Sequence, residues 1–350
     1  TVEVPEELRP EAPIGLVRKM RASIVVLGPL LARCGTARVA FPGGDDLGAR
    51  PIDMHLDGLE RMGAWFVLEH GVLIGRTDGP LQGADIDLPF PSVGATENLL
   101  SAAVLAEGET VINNAAREPE INDLVRQLTA MGGRISGAGT AIIRVEGVDR
   151  LQPTYHTVLP DRLEAGTYAV AGAISRGSVT VTGCVPEHLR MELVKLEEAG
   201  CGVERGDDWI RVAGPQRPKP VDFATLPYPG FHTDMHPQMV ALLAAADGTS
   251  IVTENLYDAR FRYVGELARM GADITTELQH AVIRGVECLS GCPVLATDIR
   301  AGAALVLAGL RADGYTVVGD AHHIDRGYED LAGTLAGLGA QIERRSGPTW

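Results

Sequence analysis

Basic residues are in short supply in this sequence. Lys and Arg number 31 against 46 Asp and Glu, a formal net charge of −15. That balance argues against a phosphate-backbone binder, whose affinity comes from clustered Lys and Arg. It does not exclude a small anionic ligand, because a few local arginines can outvote the global charge. No apolar run reaches the ~18 to 20 residues of a membrane span, and no signal-peptide pattern opens the sequence. Cysteine is sparse too. Cys34, Cys184, Cys201, Cys288 and Cys292 are odd in number and scattered, which disfavours a disulfide framework and fits a reducing cytoplasm. Cys288 and Cys292 stand i, i+4 with no second pair to complete a zinc site, so no metal is expected. The first residue is Thr1, as in a processed or trimmed chain. What remains is ordinary globular material, 45% hydrophobic and 22% charged, and 350 residues are enough for two domains with a core each.

The chain repeats itself. "LERMGA", "LTAMGG", "LEEAGC", "LARMGA" and "LAGLGA" place glycines at 63, 132, 200, 271 and 339, spaced by 69, 68, 71 and 68 residues. A second marker keeps the same beat. Apolar segments rich in Ala and Leu end at Gly35, Gly108, Gly177, Gly248 and Gly314, each followed by a β-branched run. The stretch 234–286 shows what one unit contains. Residues 236–246 are apolar on every side and predict a buried helix that Gly248 stops. "TSIVTE" predicts a strand. A loop with Arg260 leads to an amphipathic helix bearing Val264, Leu267 and Met270, and "ADITTE" with "HAVIRGV" predicts a hairpin. Each unit is therefore helix, strand, helix, strand, strand. Helices apolar all round belong inside, so several units about an axis would put helices within and sheets outside. A doubly wound open sheet is the alternative, but its crossover helices need only one apolar face.

Two sets of polar outliers interrupt the pattern. The loops after the first strand, "PGGDDLGARPID", "NNAAREPEIND", "GCVPEHLRME", "ENLYDARFRY" and "DAHHIDRGYE", include Arg50, Arg190, Arg260 and Arg326 near the ends of four of the five. Arginine's planar fork suits phosphate and carboxylate, so converging loops would form an anion pocket; surface pairing with Asp or Glu is the alternative for each. The starts of the apolar helices carry "KMRAS", "PSVGATEN", "FHTDMHPQ" and "TDIRAG". Gly94 and its neighbouring amides at a helix N-terminus suit a phosphate, whereas Ser92, Asp234 and Asp298 also qualify as plain N-caps.

Together, "MRASIVVLGPLLAR", "PGGDDLGARPIDMHLDGLERMGA", "SVGATENLLSAAVLAEGETVINNAAREPEI", "LPDRLEAGT", "TDMHPQM", "ENLYDARFRYVGELARMGADI", "ATDIRAGAALVLAGL" and "HHIDRGYE" resemble the UDP-N-acetylglucosamine 1-carboxyvinyltransferases. The resemblance runs in order from about residue 13 to the C-terminus. It implies an α/β fold, a two-domain inside-out α/β barrel of pseudo-threefold repeats. Domains are expected at 1–157 and 158–350, with the site in the cleft between. The implied reaction moves enolpyruvyl from phosphoenolpyruvate to the 3-hydroxyl of UDP-N-acetylglucosamine and releases phosphate, the committed step of peptidoglycan precursor synthesis. No cofactor, metal, nucleic acid or membrane is implied, and a cytoplasmic monomer is expected.

The resemblance also implies roles. The family's loop most often has a cysteine after Gly-Gly as the acid that protonates C3 of phosphoenolpyruvate; here that residue is Asp45, as in a minority of members. A carboxyl group serves only if burial or a like charge keeps part of it protonated, and Asp46 would supply such a charge. Arg50 and Arg326 match the arginines that hold phosphoenolpyruvate, and Asp234 the base for the sugar hydroxyl. Asp298 and Arg300 match a conformational acid–base pair, and Arg260 the remaining arginine. Arg21, the run Arg50, Pro51, Ile52, Asp53 and Met54, the run Ser92, Val93 and Gly94, and Leu256 match UDP-sugar contacts. Five units are visible where two pseudo-threefold domains use six. The family pattern has one further repeat before Thr1, with a Lys-Asn pair on phosphoenolpyruvate. An incomplete chain is expected, with "TVEVPEELRPEAP" as the tail of that repeat, or else a diverged member that does without it. The alternatives are a paralogue with a different nucleotide acceptor and an inactive UDP-sugar-binding relative.

Overall fold

The computed structural model describes residues 1–5, 7–45 and 47–347. It forms two compact units, one of residues 1–45 and 50–159, the other of 160–347 with 47–49.

The repeat is written into the backbone. Gly63, Gly132, Gly200, Gly271 and Gly339 have φ of +97°, +100°, +87°, +87° and +101°, and each donates its N–H to the carbonyl three residues earlier. These are helix C-terminal positions in the left-handed region, where a Cβ is costly. The second marker holds in three dimensions as well. The carbonyls of Gly35, Gly108, Gly177 and Gly248 accept from the N–H of Thr77, Gly147, Gly214 and Gly285 at 2.9, 3.0, 2.9 and 2.9 Å, tying the end of each hairpin to the start of its first strand. One detail differs: in the third repeat the left-handed residue is Arg176 (φ +59°), one place before Gly177.

In the first unit, strands Glu11–Ala12, Thr36–Ala40, Val72–Thr77 and Ala64–Glu69 lie side by side in that order. Asp85–Asp87, Glu109–Asn113, Ile142–Glu146 and Arg134–Ser136 form the second sheet in the same way. In both, the first strand runs parallel to its neighbour and the others are antiparallel. The helix Val93–Ala103 is mostly buried, whereas Leu27–Cys34 buries only Leu27, Gly28 and Leu31. The second unit repeats the scheme. Phe223–Ala224, Thr249–Thr253, His280–Arg284 and Asp273–Glu277 form the four-stranded sheet, and Gly202–Arg205, Trp209–Ala213 and Ser178–Thr182 a three-stranded one. Helix His236–Leu243 is buried along its whole length, Arg162–Ile174 nearly so, and Ile299–Gly309 mostly.

Two expectations need correction. The parallel edge strands were not legible, because each is only two or three residues long, too short to show an alternation. The fifth repeat has its first strand, Val317–Gly319, paired with Pro293–Leu295, but residues 340–347 form no strand, so its hairpin is absent among the described residues. No helix among the described residues is long and apolar enough to cross a membrane.

Candidate active site

The second unit gathers an acid and two arginines from two successive repeats. In "FHTDMHPQ" the cap is His232, whose Nδ1 accepts the N–H of Asp234 at 2.9 Å, so the Asp234 carboxylate is left to point elsewhere. Arg260, 2% exposed, donates Nη2–H to Asp234 Oδ1 and to the Thr233 carbonyl, both at 3.0 Å. Arg300 donates Nε–H to Asp234 Oδ2 at 3.3 Å, and its guanidinium lies 5.4 Å from the Tyr328 ring centroid. Burial disfavours ionised Asp234, but Arg260, Arg300 and His232 outweigh it and hold the carboxyl well below the usual carboxylate range. Burial likewise opposes the charge on Arg260, and Asp234, Asp298 and Glu254 more than restore it. Burial is offset at Arg300 chiefly by Asp234.

Asp298 is placed differently from the expected pairing. Its Oδ1 accepts the N–H groups of Arg300 and Ala301, each at 2.9 Å, so it caps the helix Ile299–Gly309 while the Arg300 guanidinium goes to Asp234. The expected anion pocket of four arginines also narrows. Arg260 is buried, Arg326 is exposed, and Arg190 makes a 3.5 Å pair with Glu187 in which both side chains are 70% exposed. Leu256 is half-buried, with its N–H on Glu254 Oε1 at 2.8 Å.

The first unit holds the other motifs. The N–H groups of Gly43 and Gly44 donate to the carbonyls of Val17 and Arg18 at 3.3 and 3.2 Å, and Arg21 Nη1 donates to the Pro42 carbonyl at 3.4 Å. A Cβ on Gly43 would lie 2.0 Å from the Arg18 carbonyl oxygen, which explains why the turn before Asp45 is Gly-Gly. Asp45 and Arg50 are half-buried, Pro51 and Asp53 exposed, Ile52 buried and Met54 half-buried at the start of helix Asp53–Arg61. Asp46 lies outside the described residues. Ser92 caps helix Val93–Ala103 through the N–H of Ala95 at 3.3 Å, and Val93 and Gly94 form its first turn.

Sequence reasoning missed His55, although "PIDMHLD" contains it. Its ring lies 3.4 Å from where a Gly94 Cβ would be, and Asn98 Nδ2 donates to its Nδ1 at 2.9 Å. Burial, helped by Arg21 and opposed by Asp53, lowers its pKa to about 4, so at neutral pH this imidazole is uncharged and the cation beside it is Arg21. Glu254 was missed too. It is 3% exposed and lay unremarked in "ENLYDARFRY".

Residues 1–335 match the family described as EPSP synthase (3-phosphoshikimate 1-carboxyvinyltransferase). The chain is similar to the enolpyruvyl transferase NikO from Streptomyces tendae, with a TM-score of 0.86 and 26% identity over 97% of this chain and 81% of that one. It shares the fold of EPSP synthase from Acinetobacter baumannii, with a TM-score of 0.70 and 20% identity over 92% of this chain and 78% of that one. These matches, with arginines gathered on a carboxylate, define an enolpyruvyl transferase. The UDP-N-acetylglucosamine 1-carboxyvinyltransferase of Nocardia farcinica is 54% identical over 347 residues, covering 99% of this chain and 81% of that relative. That of Corynebacterium jeikeium is 54% identical over 343 residues, covering 98% and 82%. The chain belongs to the UDP-N-acetylglucosamine 1-carboxyvinyltransferase family.

Proposed function

We propose that this protein transfers the enolpyruvyl group of phosphoenolpyruvate to the 3-hydroxyl of UDP-N-acetylglucosamine, releasing phosphate, as a cytoplasmic monomer at the first committed step of peptidoglycan precursor synthesis. The domains are read as 1–157 and 158–350. Asp45 gives a proton to C3 of phosphoenolpyruvate while the sugar oxygen bonds to C2 and its proton passes to Asp234. Phosphate then leaves C2 and the Asp45 carboxylate takes back one C3 proton, which restores the vinyl group. Arg50 and Arg326 hold phosphoenolpyruvate, and Arg21, residues 50–54 and 92–94 and Leu256 hold the UDP-sugar. Asp298 fixes the helix that presents Arg300.

The observation that carries this reading is Asp234 held between Arg260 and Arg300 at 3.0 and 3.3 Å. A carboxylate so held is a weak base. Phosphoenolpyruvate brings its own carboxylate and phosphate, and arginines that turn to those anions release Asp234 to accept a proton. An acceptor other than UDP-N-acetylglucosamine is the second reading; 54% identity to relatives of that name, against 26% to NikO, disfavours it.

Phosphate release from the two substrates, compared with Asp45→Ala, tests the assignment. Release that the variant loses is expected; equal release by both removes Asp45 from the mechanism. Fosfomycin alkylates the loop thiolate in cysteine-bearing members, and a carboxylate is a poor nucleophile toward that epoxide. Resistance is therefore expected, with sensitivity in Asp45→Cys. A covalent adduct on Asp45 would overturn that expectation.

A further inference from the structure

Glu254 is the first residue after the strand Thr249–Thr253 and is almost wholly buried. Its two oxygens accept four hydrogen bonds. Oε1 takes the Thr225 hydroxyl at 2.9 Å, the Leu256 N–H at 2.8 Å and the Tyr257 N–H at 3.2 Å; Oε2 takes the Thr233 hydroxyl at 2.9 Å. All four partners act as donors, which an ionised carboxylate can accept without supplying a proton. One side chain thus joins the strand end at Thr225, the turn that presents Asp234, and the loop that leads to Arg260.

The fold by itself does not ask for a buried carboxylate here, since the equivalent positions are all exposed. The residues that follow the equivalent strands are Phe41, Asn114, Gly183 and Asp320. Asn114, Gly183 and Asp320 take the left-handed conformation, with φ of +53°, +70° and +54°, and Glu254 does not. This repeat departs from its siblings where it buries an anion, a costly act unless the anion is fully bonded. The connection to the acid is short. Thr233 gives its hydroxyl to Glu254 and accepts at its carbonyl from Arg260 Nη2, the same nitrogen that holds Asp234 Oδ1. Further along the loop, the Ala259 N–H donates to the Leu47 carbonyl at 3.2 Å, so the loop also steadies the chain two residues past Asp45.

We propose that Glu254 is a positioning residue, which through Thr233 and the Leu256–Tyr257 backbone sets the place of Asp234 and of the UDP-sugar contact at Leu256. The proposal rests on the reaction read above. Glu254→Gln keeps the shape and one carbonyl oxygen but removes the charge and puts an amide donor opposite Thr233. The experiment measures melting, kcat and both KM values, the pH profile of kcat, and amide exchange at Leu256 and Tyr257, in wild type, Glu254→Gln and Glu254→Asp.

The variant is expected to melt as a folded protein with faster exchange at those two amides. Its kcat should be about tenfold lower or more, as for hydrogen bonds to a charged group. Its KM for the UDP-sugar rises while that for phosphoenolpyruvate holds, and its acid limb moves to lower pH because an anion near Asp234 has gone. Glu254→Asp, which keeps the charge, recovers part of the loss. A variant that melts lower but keeps wild-type kcat per folded molecule, KM ratio and acid limb overturns the proposal. Should the wild-type protein release no phosphate, the reaction reading fails instead. The positional claim is then decided by exchange, and unchanged exchange at Leu256 and Tyr257 in Glu254→Gln sinks it.

Discussion

Asp234 does two things that pull in opposite directions. As the anion between Arg260 and Arg300 it ties its own repeat to the next; as a base it must let them go. Asp234→Asn should abolish phosphate release and leave two buried guanidinium groups facing a neutral amide. With the Asp234 side chain 28% exposed, the loss should be on the order of 2–3 kcal/mol, below that of a fully buried pair. The sign with pH follows from a depressed pKa. The carboxylate's contribution is present above its unfolded value of 3.8 and is lost as pH falls toward the lower folded value. Denaturant titration at pH 7 and near pH 3 should therefore show wild type and Asp234→Asn converging in acid. Equal stability at pH 7 would mean the pair contributes nothing net.

Within the elements, two kinds of glycine recur for two reasons. Gly132 has φ +100° and nothing within 4 Å of where its Cβ would be, so Ala there meets backbone strain alone. About 1 kcal/mol is expected. Gly147, just past the strand Ile142–Glu146, would put a Cβ 1.6 Å from the Ala106 carbonyl oxygen. Gly214 and Gly285 close their hairpins against Ala173 and Ala246 in the same way, at 2.2 and 2.0 Å. Gly147→Ala must move backbone and should cost about 3 kcal/mol or more. Urea midpoints at unchanged slope would measure both, and a Gly147→Ala no worse than Gly132→Ala would refute the close-packing account.

Over the whole molecule, each unit has its own core, so each carries its own pH dependence. In the first unit two shifts oppose. Burial, Glu120 and Glu118 raise Glu97 from 4.5 to about 7, so between those values the folded state holds a proton that the unfolded chain releases, and stability falls as pH rises. His55, lowered from 6.5 to about 4, does the reverse: its contribution is lost as pH falls through that window. Between about pH 4.5 and 6.5 the two should nearly cancel in wild type. Glu97→Gln should unmask a stability that climbs with pH over that range, and His55→Gln one that declines. Each change should be on the order of 2–3 kcal/mol, read by denaturant titration of the first unit's transition. Parallel curves for wild type and both variants would show that neither group shifts.

The repeat and its element types were legible because their causes are local. A helix end that needs φ near +90° selects glycine, an all-apolar segment declares an interior helix, and a β-branched pair around a tight turn declares a hairpin, all within a dozen residues. The motifs at Asp45, Asp234 and Arg260 were legible as resemblance. The sequence did not determine which charge meets which. Asp234 and Asp298 both precede buried helices and look alike in one dimension, yet one caps amides while the other takes two arginines 26 and 66 residues away. Glu254 and His55 escaped notice for the same reason. A buried polar side chain is explained by partners far along the chain, and only the packed repeats bring those partners within 3 Å or so of each other.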